Sequence, residues 1–244
     1  MLPILFVLKN LIKKFLIKSG LSNKLIFTAL STESALQRIS KRKIEINAVI
    51  DIGASNGSWS KVAMEYFSDA EYFLIDASDE HIEGLKKFKK SHKNVDYIIA
   101  AAGEKDGEIY FDNSTLYGGK ASKEALNENF KKINVRSVDS LAGEYDLEGP
   151  YLLKLDTHGF ELPIFDGATE VLKHTNLIVV ETYNFNITSE SMLFHEMCAF
   201  LKEKGFRCID ISEPLFRQYD KSLWQFDLFF IPESRKEFEV NTYE

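Results

Sequence analysis

From residue 48 onward, short apolar runs alternate with stretches whose apolar positions recur every three or four residues. The first kind reads as buried strand, the second as amphipathic helix. Runs at Ala48–Asp51, Tyr72–Asp76, Tyr97–Ala101, Tyr151–Asp156 and Leu177–Glu181 predict strands, and Arg207–Ile211 and Phe226–Ile231 predict two more. Helices are predicted over Ser31–Lys43, Ser58–Phe67, Glu80–Lys90, Leu162–His174 and Glu190–Lys204, with Gly205 suited to stop the last. Glu108–Asp112 reads as a short extra strand, and residues 113–132 as a polar loop or short helix. This order predicts an α/β protein: a mostly parallel sheet covered on both faces. No repeat, low-complexity tract or linker interrupts it.

The first residues differ from the rest. Residues 1–45 read as an N-terminal helical extension and residues 46–244 as one domain. Within 1–18, Lys9, Lys13, Lys14 and Lys18 gather with Asn10 on one half of a helical wheel. Leu5, Leu8, Leu11, Ile12, Phe15 and Leu16 occupy the other half. The apolar run Leu2–Leu8 is too short to span a bilayer, and no signal-peptide pattern follows it. A basic amphipathic helix can lie in a membrane interface, and it can equally pack on its own domain.

Composition narrows the class. The 244 residues are 45% hydrophobic, enough for one substantial core. A net charge of -7 argues against a nucleic-acid partner, which favours a basic face. Cys198 and Cys208 form no CxxC pair and no disulfide framework, which fits a cytoplasmic protein.

The chemistry begins at the first strand. Ala48-Val49-Ile50-Asp51 runs into Gly53-Ala54-Ser55-Asn56-Gly57. A glycine turn between a strand and a helix lets a ligand approach the main chain. In such sheets ligands sit at the carboxyl ends of the strands. Asp76 closes the second strand, where an acidic residue accepts hydrogen bonds from ribose hydroxyls. A dinucleotide loop would read GxGxxG, and here the middle glycine is missing. Asp51 ahead of the turn suits a ligand with a cationic end rather than a pyrophosphate. The pattern resembles the first motif of class I S-adenosylmethionine-dependent methyltransferases. Asp51, Gly53, Ala54, Ser55, Asn56, Gly57, Asp76 and Ala101 are the candidate cofactor residues.

A second stretch is more specific. Lys154-Leu155-Asp156-Thr157-His158-Gly159-Phe160-Glu161, followed by Gly167-Ala168, resembles the FkbM family of methyltransferases. Val138-Asp139-Ser140-Leu141 and Ile178-Val179-Val180-Glu181 resemble that family's flanking elements. The resemblance implies a Rossmann-like sheet of seven strands with the last antiparallel. It implies S-adenosylmethionine as cofactor and methyl transfer to an acceptor, usually an oxygen. The family most often carries Glu where this chain has His158.

A hydroxyl acceptor needs a general base. His158 is the first candidate, and Asp156 could orient it, take the proton or hold the cofactor's amino group. Glu161 reads as a helix cap. Asp156, His158 and Glu181 could also hold a divalent cation, but no ligand spacing demands one, and no metal is assigned. The expected acceptor is a glycan, glycolipid or small natural product, in line with the family's link to polysaccharide and natural-product pathways. Tyr117, Tyr183 and Phe185 are aromatics that could stack on a sugar. Two other classes stay open at this point. One is a nicotinamide-dependent oxidoreductase. The other is a membrane-tethered protein that binds the cofactor without turnover.

Overall fold

A computed structural model of the chain describes residues 28–112, 114, 119–122, 124–189 and 191–243. The amphipathic stretch 1–18 and Tyr117 lie outside them. The described chain folds around a seven-stranded sheet. In chain order its strands are β1 (Ala48–Ile52), β2 (Glu71–Asp76), β3 (Val95–Ile99), β8 (Tyr151–Leu155), β9 (Thr175–Tyr183), β10 (Phe206–Phe216) and β11 (Leu223–Pro232). Four short strands between β3 and β8 complete the numbering: β4 (Ala101–Ala102), β5 (Gly107–Asp112), β6 (Lys120–Ser122) and β7 (Phe130–Arg136). The large sheet has the order β10-β11-β9-β8-β1-β2-β3. Its central strands run parallel, and β11 is antiparallel to both β9 and β10. This is the Rossmann-like arrangement the sequence predicted.

Both faces of the sheet are covered, so the central strands are apolar along their whole length. Val49, Tyr72, Leu74, Leu152, Val179 and Phe229 face one core. Helices α1 (Thr32–Ser40), α2 (Ser58–Ala63) and α3 (Ile82–Ser91) pack there through Leu36, Ile39, Ala63, Leu85 and Phe88. Ile50, Ile52, Phe73, Ile75, Leu153 and Val180 face the other core. Helices α4 (Val138–Glu144), α5 (Glu161–Asp166), α6 (Thr169–Lys173) and α7 (Phe194–Glu203) cover that side. Helix α1 starts at Ser31, whose side chain accepts from Ser34 N at 3.2 Å. A bidentate Arg38–Asp210 pair, at 2.7 and 2.8 Å, ties it to β10.

Three elements depart from the sequence expectation. The third strand stops at Ile99, and Ala101–Ala102 pairs instead with β7 in a second sheet of order β4-β7-β5-β6. The polar stretch 113–132 therefore contributes β6 and the start of β7, not only a loop. The expected helix Leu162–His174 is two helices, broken at Gly167-Ala168. A Cβ on Gly167 would lie 2.0 Å from the carbonyl oxygen of Gly103. The Asp139 carboxylate accepts from Glu170 N and Val171 N and so starts α6 afresh. Cys198 and Cys208 are free thiols. Among the described residues, no helix is long and apolar enough to cross a membrane.

Two charged residues interrupt the apolar centre. Asp51 on β1 and Lys154 on β8 are register neighbours. Asp51 is 0% exposed and Lys154 4%. The Lys154 ammonium sits 3.0 Å from Asp51 Oδ1 and donates to Gly53 O at 3.0 Å. Ser60 Oγ donates to Asp51 Oδ2 at 2.6 Å. Burial alone would push the Lys154 pKa down, but Asp51 and Asp156 outweigh it and hold the amine charged. Lys154→Met is expected to cost about 3–5 kcal/mol, because it strands a buried carboxylate. The double variant Asp51→Asn/Lys154→Met should recover most of that loss. Urea unfolding of the three proteins checks this, and equal losses in single and double variants would refute it.

Candidate active site

The carboxyl ends of β1, β2, β8 and β9 open into one cavity of about 370 Å³. Its floor is Ile52, Gly53 and Ser55 of the first turn, with Asp76, Ala77 and Ser78 after β2. Ala100, Ala101 and Ala102 form a small apolar wall. Asp156, Thr157 and His158 after β8 and Glu181 on β9 form the opposite rim. The second sheet closes the top with Phe111, Gly119 and Ala121.

Gly53 is needed at the floor for two reasons. Its φ is +74°, and a Cβ there would lie 2.0 Å from Asp156 O. The ends of β1 and β8 can approach only with no side chain between them. Asp76 is fixed by its own loops. Its Oδ2 accepts from Ser55 N at 2.6 Å and its Oδ1 from Ser78 N at 2.8 Å. Burial pushes the Asp76 pKa up, and those two N–H donors oppose the shift. Each oxygen keeps a lone pair for a further donor.

The rim gathers the acid–base groups. His158 Nε2 lies 3.7 Å from Asp156 Oδ1 and 3.8 Å from Glu181 Oε2. The three side chains each offer one ligand atom within 4.8 Å of the others. Tyr183 Oη and Gln225 Nε2 donate to the Glu181 carboxylate and fix its orientation. Burial first, and then Asp156, push the Glu181 pKa up to about 9. Asp227, its register partner on β11, is pushed up to about 7 for the same two reasons. His158 itself has φ +52°, a left-handed conformation rare outside glycine. Glu161 supports that turn. It is 5% exposed, and its Oε1 accepts from Thr157 Oγ1 at 3.0 Å and Gly159 N at 2.9 Å. Glu161 thus reaches back across the His158 turn as well as opening α5.

Of the residues singled out in the sequence, Gly53, Ser55, Asp76, Ala101, Asp156 and His158 share the cavity wall. Asp51, Ala54, Asn56 and Gly57 stand behind it. Asp51 is held by Lys154 and Ser60, and Ala54 is 3% exposed in the core. Asn56 Oδ1 accepts from Ser58 N at 3.1 Å, and Gly57 lies against the Phe88 ring.

The profile of the Methyltransferase FkbM domain matches residues 51–208, which contain both the first turn and the His158 rim. The chain belongs to the FkbM methyltransferase family. As a member it is an S-adenosylmethionine-dependent methyltransferase, and the oxidoreductase alternative is set aside. No curated protein matches it. Among solved structures it is similar to a 1,6-didemethyltoxoflavin-N1-methyltransferase of Burkholderia thailandensis, with bound 1,6-didemethyltoxoflavin and S-adenosylhomocysteine. The identity is 9%, the coverage 92% of this chain and 88% of that one, and the TM-score 0.47. It is also similar to a precorrin-6y C5,15-methyltransferase of Geobacter metallireducens, at 14% identity, 80% and 85% coverage and a TM-score of 0.43.

The methyltransferase's cavity also uses residues that sequence reasoning missed. His81, 9% exposed, comes from the single 3-10 turn Asp79–His81 that precedes α3. Phe111 and Ala121 come from the second sheet, and Gln225 from β11. Only Phe111 sat in a stretch read as strand.

Two outcomes follow for this rim. Glu161→Gln keeps the accepting oxygen and should be near neutral. Glu161→Ala leaves Thr157 and Gly159 unpaired and should cost about 1–3 kcal/mol. Thermal unfolding of both variants checks the contrast. Glu181 gives a pH signature. Its folded pKa is about 9 and its ordinary value 4.5, so the folded state holds a proton that the unfolded chain releases between them. That contribution is full below 4.5 and is lost as pH rises towards 9. Glu181→Gln removes the loss. The variant's Tm relative to wild type should therefore climb from pH 5 to pH 9, and a flat difference would contradict the assignment.

Proposed function

We propose that the protein transfers the methyl group of S-adenosylmethionine to a hydroxyl of a glycan, glycolipid or small natural product. The observation that carries this reading is the convergence of Asp156, His158 and Glu181 on the cavity beside the cofactor turn. The residues present fit the cofactor. Asp76 offers two fixed carboxylate oxygens to a ribose diol. The Ala100–Ala102 wall leaves room for a flat base, and the acidic rim complements a cationic sulfonium and ammonium. When bound, the sulfonium supplies an already activated methyl group. The protein's task is then to align the acceptor and remove its proton.

His158 takes that proton at Nε2, and the Asp156 carboxylate stabilises the resulting imidazolium. Glu181, pushed up to about 9, keeps its own proton at neutral pH and adds no second negative charge. The Glu161 clamp keeps the ring at the rim. Residues 1–18, with four lysines and no carboxylate, support a peripheral position on the inner face of a membrane, where a lipid-linked hydroxyl would be within reach.

Calorimetry and acceptor screening test the reading. Wild type should bind S-adenosylmethionine, and Asp76→Asn should weaken binding about tenfold or more, the loss of one charged hydrogen-bonding group. His158→Gln should leave that affinity unchanged and cut methyl incorporation into lipid-linked or free glycan extracts by about 10²–10⁴. A folded protein that does not bind the cofactor would overturn the reading. Binding without turnover across the acceptor panel would favour a non-catalytic role.

A further inference from the structure

The hairpin of β10 and β11 runs past the end of its neighbour. Tyr183, the last residue of β9, pairs with Gln225. Beyond that point β10 and β11 pair only with each other, through Leu215 with Gln225 and Phe216 with Leu223. The projecting tip carries Leu215 at 51% exposure, Phe216 at 49% and Tyr219 at 91%. Single exposed apolar residues are ordinary, but three on one projecting tip are not.

The tip is also stiff. The Arg217 guanidinium forks onto Asp220 at 2.8 and 2.6 Å. It lies 4.1 Å from the Phe185 ring centre, and Phe185 stacks on Trp224 at 5.4 Å. The apolar side chains are therefore displayed by a braced structure.

A second observation concerns where the N-terminal stretch joins the fold. Glu213 N donates to Leu30 O at 2.7 Å, and the Glu213 carboxylate accepts from Thr32 N at 2.7 Å. Residues 28–32 are thereby pinned to β10 two positions before Leu215. The first 27 residues hold five lysines and no aspartate or glutamate, in a chain whose net charge is -7. The cavity opens at this same end of the sheet, with Glu181 and Gln225 on its wall.

We infer that the β10–β11 tip and the N-terminal stretch together form one face that seats on an anionic lipid bilayer. Leu215, Phe216 and Tyr219 enter the boundary between headgroups and acyl chains, while the lysines meet the anionic headgroups. The cavity then opens towards the lipid surface, and the acceptor class narrows to a lipid-linked hydroxyl. This rests on the peripheral position proposed above, but its test reads lipid binding, so it can fail while methyl transfer stands.

Flotation of the full chain with vesicles decides it. Wild type should float with mixed phosphatidylcholine and phosphatidylglycerol, and not with phosphatidylcholine alone. Added salt should weaken the binding. The triple variant Leu215→Ser/Phe216→Ser/Tyr219→Ser should lower the bound fraction about tenfold, with its Tm and S-adenosylmethionine affinity unchanged. Single Phe216→Ser should fall between the two. A triple variant that floats like wild type would overturn the inference, as would a wild type that ignores anionic vesicles. A wild-type dimer that dissociates in the triple variant, without flotation, would assign the face to a second copy and overturn it as well.

Discussion

The buried pair of Asp51 and Lys154 is the constraint on which the site is built. The two residues sit side by side on adjacent central strands, so the pair exists only in one register of β1 against β8. A slip of one residue would place Lys154 on the opposite face. The lysine then does more than neutralise an aspartate. It also donates to Gly53 O and stands 3.6 Å from Asp156 Oδ2. One ammonium thus joins the cofactor turn after β1 to the acid–base rim after β8. Against an apolar pair of the same size such an ion pair offers little net stability. What it supplies is position: the floor and the rim cannot shift independently.

That position creates an electrostatic imbalance. Asp156, Glu181 and Asp227 crowd one corner, and Lys154 is the cation that bears on them. Bringing carboxylates together away from water raises their pKa values, which is the direction seen at Glu181 and Asp227. The corner is therefore built for a visitor that brings positive charge. A sulfonium cofactor does so, and its arrival would favour the ionised forms that burial resists.

The sequence made the central sheet legible because its strands are covered on both faces and so are continuously apolar. β1 and β8 are buried at every position, and nothing else in the chain mimics that pattern. The second sheet was hidden for the opposite reason. β7 reads Phe130-Lys131-Lys132-Ile133, with both lysines exposed, and β6 is three residues long. Short strands with polar outer faces look like loop. The cavity followed the same division. Gly53, Asp76 and His158 announce themselves at strand ends, whereas Gln225 reaches the wall only because β11 folds back beside β9. Asp51 shows the limit of reading a strand end alone. Its place before the glycine turn suggested contact with a ligand, but the register gives its carboxylate to Lys154.

The histidine at the rim fits this electrostatic setting. The resemblance to the family pairs this position with glutamate more often than with histidine. Here Asp156 and Glu181 flank the position at 3.7 and 3.8 Å. A third carboxylate would add repulsion to a corner where Glu181 is already pushed up to about 9. An imidazole adds none when neutral and is stabilised by Asp156 when it carries a proton. The backbone strain of the left-handed turn is offset by the buried Glu161 clamp, which leaves the ring facing the cavity. In a site where carboxylates accumulate and burial keeps their protons on, a group that gains charge by accepting a proton is the base the surroundings favour.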